Sequence, residues 1–112
     1  MRAAYLLADL IISRAGATSI AEIAAREKPA IVVPLKNAAQ DHQRENAYQY
    51  AASGAALVIE EDNFSPHVLL HEVRTIMADS GRRARMARAA QAFARLGAAE
   101  TIAREIIRLG LH

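Results

Sequence analysis

A turn of small residues lies between an apolar run and a helical pattern near the amino terminus. The turn reads Ser13-Arg14-Ala15-Gly16-Ala17-Thr18-Ser19 and follows the apolar run Leu10-Ile11-Ile12. A strand, a small-residue turn and a helix start present backbone N–H groups and a positive dipole end to an anion. Gly16 lets a ligand approach the backbone closely, and Glu22 can accept hydrogen bonds from ligand hydroxyls. The stretch predicts a nucleotide-diphosphate site.

The same residues also fit a purely structural explanation. In a capping box, Glu22 would accept a hydrogen bond from the backbone N–H of Ser19 at the start of the helix. A single glycine in a turn is weaker evidence than a complete GxGxxG motif or P-loop, and the sequence has neither. Taken alone, the turn supports the capping box at least as well as the ligand site.

A second polar cluster follows the apolar run Ala30–Val33. Its side chains His42, Gln43 and Asn46 are neutral, and amides suit sugar hydroxyls because they donate and accept together. By itself the cluster fits a polar first helical turn that faces water. Because both clusters follow parallel strands, however, they should lie at the same carboxyl edge of a sheet, where ligands of such sheets bind. This shared edge favours a site.

Other candidate sites are less specific. His67 and His71 are four residues apart but lack the glutamate of an HExxH motif, so a solvated helix face explains them better than a metal site. The run Arg82-Arg83-Ala84-Arg85-Met86-Ala87-Arg88 could contact phosphates or an anionic membrane, although a solvated face is the simpler explanation. The chain has no cysteine, which excludes disulfides and thiolate metal sites and fits a cytoplasmic protein.

The order of predicted elements indicates an α/β fold. Residues 2–8 are expected to end a helix, followed by strands at 10–12, 30–33 and 55–59 with helices from about 19 to 28 and 41 to 53 between them. A helical tail from about residue 66 to 112 follows, with a start at Ser65-Pro66 and a break at Gly97. Three parallel strands with flanking helices indicate the second half of a doubly wound domain. The net charge of +2 is too small to indicate nucleic acid binding.

Three stretches carry a family resemblance. The runs ADLIISRAGATSIAEIAAREKPAIVVPL, NAAQDHQRENA and SGAALVIEE resemble the carboxyl-terminal donor-binding domain of the MurG family of glycosyltransferases. The resemblance implies a GT-B enzyme with two Rossmann-like domains, of which residues 1–112 would be part of the second. The implied reaction is the inverting, metal-free transfer of N-acetylglucosamine from UDP-N-acetylglucosamine to lipid I, which forms lipid II for peptidoglycan synthesis. No cofactor is expected.

The resemblance also implies a role for each matching residue. The positions Ala15, Gly16, Ala17, Thr18 and Ser19 would hold the donor diphosphate. Glu22 would bind the ribose hydroxyls, and His42, Gln43 and Asn46 would surround the N-acetylglucosamine.

The family proteins are about three times longer, on the scale of two domains. We therefore expect the general base and the lipid I site on a missing amino-terminal domain, no catalytic residue in this chain, and no transferase activity from it alone. The family location is cytoplasmic, peripheral on the inner face of the bacterial plasma membrane. An exposed half-sheet predicts a homo-oligomer. The alternatives are another UDP-sugar glycosyltransferase subunit that needs a partner chain, and a non-catalytic α/β interaction domain.

Overall fold

The computed structural model describes residues 3–6, 9–14, 17–34, 41–108 and 110, without the side chains of residues 3–6, 17–19 and 41–43. Four strands form one sheet: β1 (Ala3–Leu6), β2 (Ile11–Arg14), β3 (Ala30–Val32) and β4 (Ala56–Val58). Four α-helices accompany them: α1 (Ala17–Ala25), α2 (Asp41–Ala52), α3 (Pro66–Ala78) and α4 (Ser80–Arg108). A short 3₁₀ helix covers Glu61–Asn63.

The sheet has the strand order β1-β2-β3-β4. Strands β2, β3 and β4 run parallel, with Ile12 opposite Ile31 and Ile31 opposite Leu57. Parallel neighbours need a crossover connection, and α1 and α2 supply the two crossovers in this chain. The predicted three parallel strands with flanking helices are confirmed.

The first strand was not expected. The prediction of a helix end at residues 2–8 is wrong, because Ala3–Leu6 forms β1 and pairs antiparallel with β2. Alanine and leucine favour helices in isolation, but a free edge of β2 offers backbone hydrogen bonds that a neighbouring segment can satisfy. Pairing with β2 therefore overrides a local helical preference, and β1 becomes the sheet edge next to β2.

Apolar side chains of the parallel strands alternate between two cores. The first core lies against α1, α2 and α4 and contains Ile11, Ile20, Ile23, Ala24, Ala30, Val32, Ala47, Tyr50, Ala55 and Ala90. The second lies on the opposite face, largely under α3, and contains Leu10, Ile31, Val33, Ile59, Ile76 and Met86. Because successive strand residues point to opposite faces, Ile31 and Val32 belong to different cores. Both faces of the central strand β3 are buried, as expected for a parallel sheet.

The ends of two helices follow their predicted chemistry. Gly54 follows α2 with φ at 96°, a conformation that costs a residue with a side chain more than it costs glycine. Ser65 caps α3, since its Oγ accepts a hydrogen bond from the Val68 backbone N–H at 3.1 Å, and Pro66 occupies the first helical position.

Helix α4 continues where a break was predicted. Gly97 lies inside the single helix Ser80–Arg108, so the expected division into two helices is wrong. One internal glycine weakens a helix by only about 1 kcal/mol relative to alanine, and the surrounding alanine-rich sequence favours the helix. The ion pairs Glu100–Arg104 and Glu105–Arg108 add support along its carboxyl-terminal half. None of the described helices is both long and apolar enough to cross a membrane.

Candidate functional site

The two predicted clusters begin helices at the same edge of the sheet. Helix α1 starts at Ala17, shortly after β2 ends at Arg14, and α2 starts at Asp41 after β3. Because β2 and β3 run parallel, the amino-terminal ends of both helices lie beyond the carboxyl ends of the strands. This arrangement directs two positive dipole ends toward one edge, where they can attract an anion.

Some of the predicted site residues can be placed only by their backbone. Ala17, Thr18 and Ser19 form the first turn of α1, and His42 and Gln43 belong to the first turn of α2. Ala15 and Gly16 lie outside the described residues, as do the side chains of Thr18, Ser19, His42 and Gln43. Whether the Gly16 turn and Gln43 meet Glu22 in one cleft thus stays a prediction.

The capping-box explanation does not fit the observed start of α1. A capping box requires Ser19 to precede the first helical residue, and Glu22 to lie three residues later. The helix begins at Ala17, two residues earlier than predicted, so Ser19 lies inside its first turn. Glu22 is an exposed residue in the second turn, and it has an interaction within the chain.

Asn46 lies next to α1. A cavity of about 390 Å³ separates α1, α2 and α4, and its walls include Ile20 and Ala21 from α1 and Asn46 and Gln49 from α2. On the α4 side, it is lined by Phe93, Gly97, Glu100, Thr101 and Arg104. The structure thus brings Asn46 of the second cluster together with α1 of the first. Glu22 is not among the described residues that line this cavity.

Two ion pairs at the carboxyl edge were missed by sequence reasoning. Arg14, the last residue of β2, pairs with Glu61 in the 3₁₀ helix that follows β4. Arg44 Nη2 donates to Glu60 Oε2 at 2.7 Å, and Tyr48 Oη donates to the same oxygen. Arg44 and Tyr48 are four residues apart on α2, so both can reach one acceptor. That spacing, with two glutamates directly after a strand, was the available signal.

The Glu60 cluster, which consists of Arg44, Tyr48 and Glu60, perturbs the titration of its members. The hydrogen bond from Tyr48, joined by that from Arg44, holds the pKa of the Glu60 carboxyl below its usual value. The same hydrogen bond raises the pKa of Tyr48, and the hydrogen bond to Glu60 raises the pKa of Arg44. The Glu60 carboxyl is therefore ionised at neutral pH. Its hydrogen bonds with Arg44 and Tyr48 connect α2 to the segment after β4, close to Gln43.

The geometry of the described part of the edge suits the binding of an anion. The edge offers helix starts, amide side chains and paired charges, and it fits an anionic ligand that also carries hydroxyl groups. Among the described residues, no group of three or more histidine or acidic side chains is placed to hold a metal ion.

Comparisons with known proteins identify the family. The glycosyltransferase family 28 C-terminal domain matches residues 1–102. The chain is 47% identical to a UDP-N-acetylglucosamine–N-acetylmuramyl-(pentapeptide) pyrophosphoryl-undecaprenol N-acetylglucosamine transferase from Geobacter metallireducens, over 96% of this chain and 29% of the relative. A relative with the same name from Alkalilimnicola ehrlichii is 45% identical over 93% of this chain and 29% of the relative. Another from Nitrosococcus oceani is 40% identical over 97% of this chain and 30% of the relative.

The chain thus spans slightly under a third of the length of these curated relatives. The comparisons confirm the resemblance to the MurG family. They also confirm the predicted fold, since the domain has the Rossmann-like architecture of GT-B enzymes. The chain belongs to the glycosyltransferase family 28 C-terminal domain family.

Proposed function

We propose that residues 1–112 form part of the UDP-sugar donor-binding domain of a GT-B glycosyltransferase, with a helical tail from about residue 66. The enzyme would transfer N-acetylglucosamine from UDP-N-acetylglucosamine to lipid I and so form lipid II. The main support is the convergence of the α1 and α2 starts at one sheet edge, in a chain 47% identical to a transferase of that name. Its location would be cytoplasmic, on the inner face of the plasma membrane.

Each element of the site has a proposed partner in the donor. The first turn of α1, with the preceding Ala15 and Gly16, would hold the diphosphate through backbone N–H groups and the helix dipole. The exposed Glu22 carboxylate would accept hydrogen bonds from the ribose hydroxyls. His42, Gln43 and Asn46 would contact the N-acetylglucosamine, for which amides are suited.

The proposed reaction is a single inverting displacement. The C4 hydroxyl oxygen of the muramyl residue attacks C1 of N-acetylglucosamine, while the bond between C1 and the β-phosphate oxygen breaks and UDP leaves. The positive end of α1 stabilises the negative charge that develops on the departing diphosphate. The proton of the attacking hydroxyl passes to a general base that we place outside these 112 residues. This chain supplies donor binding and leaving-group stabilisation.

Calorimetry with UDP-N-acetylglucosamine tests this proposal. In a protein extended to the full length of the relatives, Glu22→Ala should weaken donor binding about tenfold or more, because charge-assisted hydrogen bonds to the ribose contribute roughly 1.5–3 kcal/mol. Glu105→Ala removes the same charge from an exposed position on α4 and should leave binding unchanged. Equal affinities in the two variants, or no binding by the extended protein, would contradict the assignment. The 112-residue chain alone should show no turnover of labelled donor.

The carboxyl-terminal half of α4 favours a second candidate, a subunit or interaction domain that needs a partner chain. Its apolar side chains are largely exposed, with Leu96 at 72%, Ile102 at 60% and Ile107 at 74%. Neighbouring exposed apolar residues mark contact surfaces, which also supports a homo-oligomer. Light scattering should then show association of the 112-residue chain, whereas a monomer at all concentrations would contradict this candidate.

A further inference from the structure

The arginine run of α4 contributes to a cavity far from the donor edge. A cavity of about 540 Å³ is lined by Arg82 and Arg85, by Ser53 and Gly54 at the end of α2, and by Met86. Ser53 and Gly54 precede β4, so the cavity lies beyond the amino end of that strand. The α1 and α2 starts lie beyond the carboxyl ends of the parallel strands, which places them at the opposite edge of the sheet.

One carboxylate lies near the two arginines of this cavity, since Arg85 Nη1 and Asp79 Oδ1 are 3.3 and 3.4 Å from the position that a Cβ on Gly81 would take. Neither guanidinium forms an ion pair or a hydrogen bond with a described residue, and no carboxylate lines the cavity. The nearby Asp79 carboxylate instead caps α4, because its Oδ1 accepts from the Arg82 backbone N–H at 2.9 Å. By contrast, Arg83 is engaged, since its guanidinium donates to the Met77 and Ile76 carbonyls at the end of α3.

The carbonyl groups at the end of α2 accept hydrogen bonds from other donors than Arg82 and Arg85. The carbonyls of Gln49 and Tyr50 accept from the Ser53 backbone N–H, and the Ala51 carbonyl accepts from the Gly54 N–H. Ser53 Oγ also donates to the Tyr50 carbonyl at 2.6 Å. These oxygens accept hydrogen bonds locally, and none of those bonds comes from the guanidinium groups of Arg82 and Arg85.

We propose that Arg82 and Arg85 form a second anion site that binds a phosphoryl group. The two residues are three apart and so share one helical face, and a guanidinium binds phosphate oxygens in a bidentate fork. Both lie in the first two turns of the 29-residue helix α4, where the helix dipole adds positive potential. The cavity volume falls within the range of about 300–1,000 Å³ typical of small-molecule sites.

The phosphoryl group can come from a phospholipid head group or from a soluble phosphate, and two probes separate these sources. Sedimentation with phosphatidylglycerol vesicles, compared with phosphatidylcholine vesicles, measures the lipid source. Titration with inorganic phosphate, followed by NMR of the arginine Nε–Hε groups, measures the soluble source. In the Glu22→Ala variant, phosphate should bind at Arg82 and Arg85 with unchanged affinity, because this site is distinct from the donor site.

Two double variants with the same change in net charge separate the effect of the site from the effect of overall charge. Arg82→Gln with Arg85→Gln should lower affinity for whichever probe binds by at least fivefold, since each arginine near an anionic surface contributes a factor of about five. Arg88→Gln with Arg95→Gln removes the same charge from exposed positions of α4 outside the cavity and should change affinity by less than twofold. Thermal unfolding by circular dichroism verifies that both variants fold.

Each outcome bears on the proposal. Binding of either probe that is lost only in the Arg82/Arg85 variant supports it and identifies the source. Binding of neither probe, or an equal loss in both double variants, overturns it. Loss of phosphate binding at Arg82 and Arg85 in the Glu22→Ala variant would also overturn it.

Discussion

Arg44 and Glu60 connect the second helix to the end of the last strand, with Arg44 Nη2 2.7 Å from Glu60 Oε2. Tyr48 donates to the same carboxylate from the next turn of α2. Gln43, a proposed sugar contact, directly precedes Arg44 in the chain. The Glu60 cluster therefore restrains the helix turn on which donor recognition is proposed to depend.

The Glu60 cluster predicts a pH-dependent contribution to stability. The pKa of Glu60 is lowered in the folded chain, so its ionised form stabilises the fold above the unfolded pKa near 4.5, and this contribution is lost as pH falls through the lower folded value. Glu60→Gln should lower Tm by a few degrees at pH 7, because exposed ion pairs contribute little. Thermal unfolding at several pH values should show the difference from the unsubstituted chain shrinking below pH 4.5. A difference that grows on acidification would contradict the assignment.

Two glycines should respond in opposite directions to the same substitution. A Cβ at Gly97 would meet no atom within 4 Å apart from the adjoining backbone of its own helix, so Gly97→Ala should stabilise the chain by up to about 1 kcal/mol through helix propensity. Gly54 has φ at 96°, and Gly54→Ala should destabilise by roughly 1 kcal/mol or more. Urea unfolding of both variants measures the two free energies. A loss of stability in Gly97→Ala would show that α4 is not continuous at this position.

The buried hydroxyl of Tyr50 gives a third prediction. The ring of Tyr50 is fully buried and packs edge-on against Phe93 at 4.9 Å, while Oη has no hydrogen-bond partner among the described residues. Burial raises the pKa of Tyr50 to about 12. Tyr50→Phe removes an unsatisfied polar group without changing the packing, so the free energy of unfolding should rise by about 1 kcal/mol. A marked decrease in urea unfolding experiments would mean that Oη has a partner after all.

The sequence predicted the parallel strands and the first three helices because each has a strong local signal. The apolar runs at β2, β3 and β4 are short and unalternated, as expected for a parallel sheet, and β3 is buried on both faces. Ser65-Pro66 and Gly54 are chemical signals for helix ends. The strand β1 could not be predicted in this way, because its backbone pairing with β2 outweighs the helical preference of Ala3–Leu6. At Gly97 the local signal suggested a break, but the neighbouring helix formers carry α4 through it.

The sequence predicted where the site lies on the sheet, but it did not predict the ion pairs around it. Strand direction and the order of elements place the α1 and α2 starts together, which sequence alone indicated. The ion pair between Arg44 and Glu60 joins residues 16 positions apart, and that between Arg14 and Glu61 joins residues 47 apart. Such contacts depend on how the helices pack on the sheet, so the spacing of Arg44 and Tyr48 and the two glutamates after β4 indicate candidate residues but do not specify which of them pair.

An NMR titration with UDP-N-acetylglucosamine tests whether the donor diphosphate binds at the start of α1. The backbone amide shifts of Ala17, Thr18 and Ser19 should change most, accompanied by changes in the first turn of α2. If the protein is saturated with ligand and the shifts of Ala17–Ser19 do not change, or if the changes are confined to the cavity at Arg82 and Arg85, the diphosphate does not bind at the start of α1.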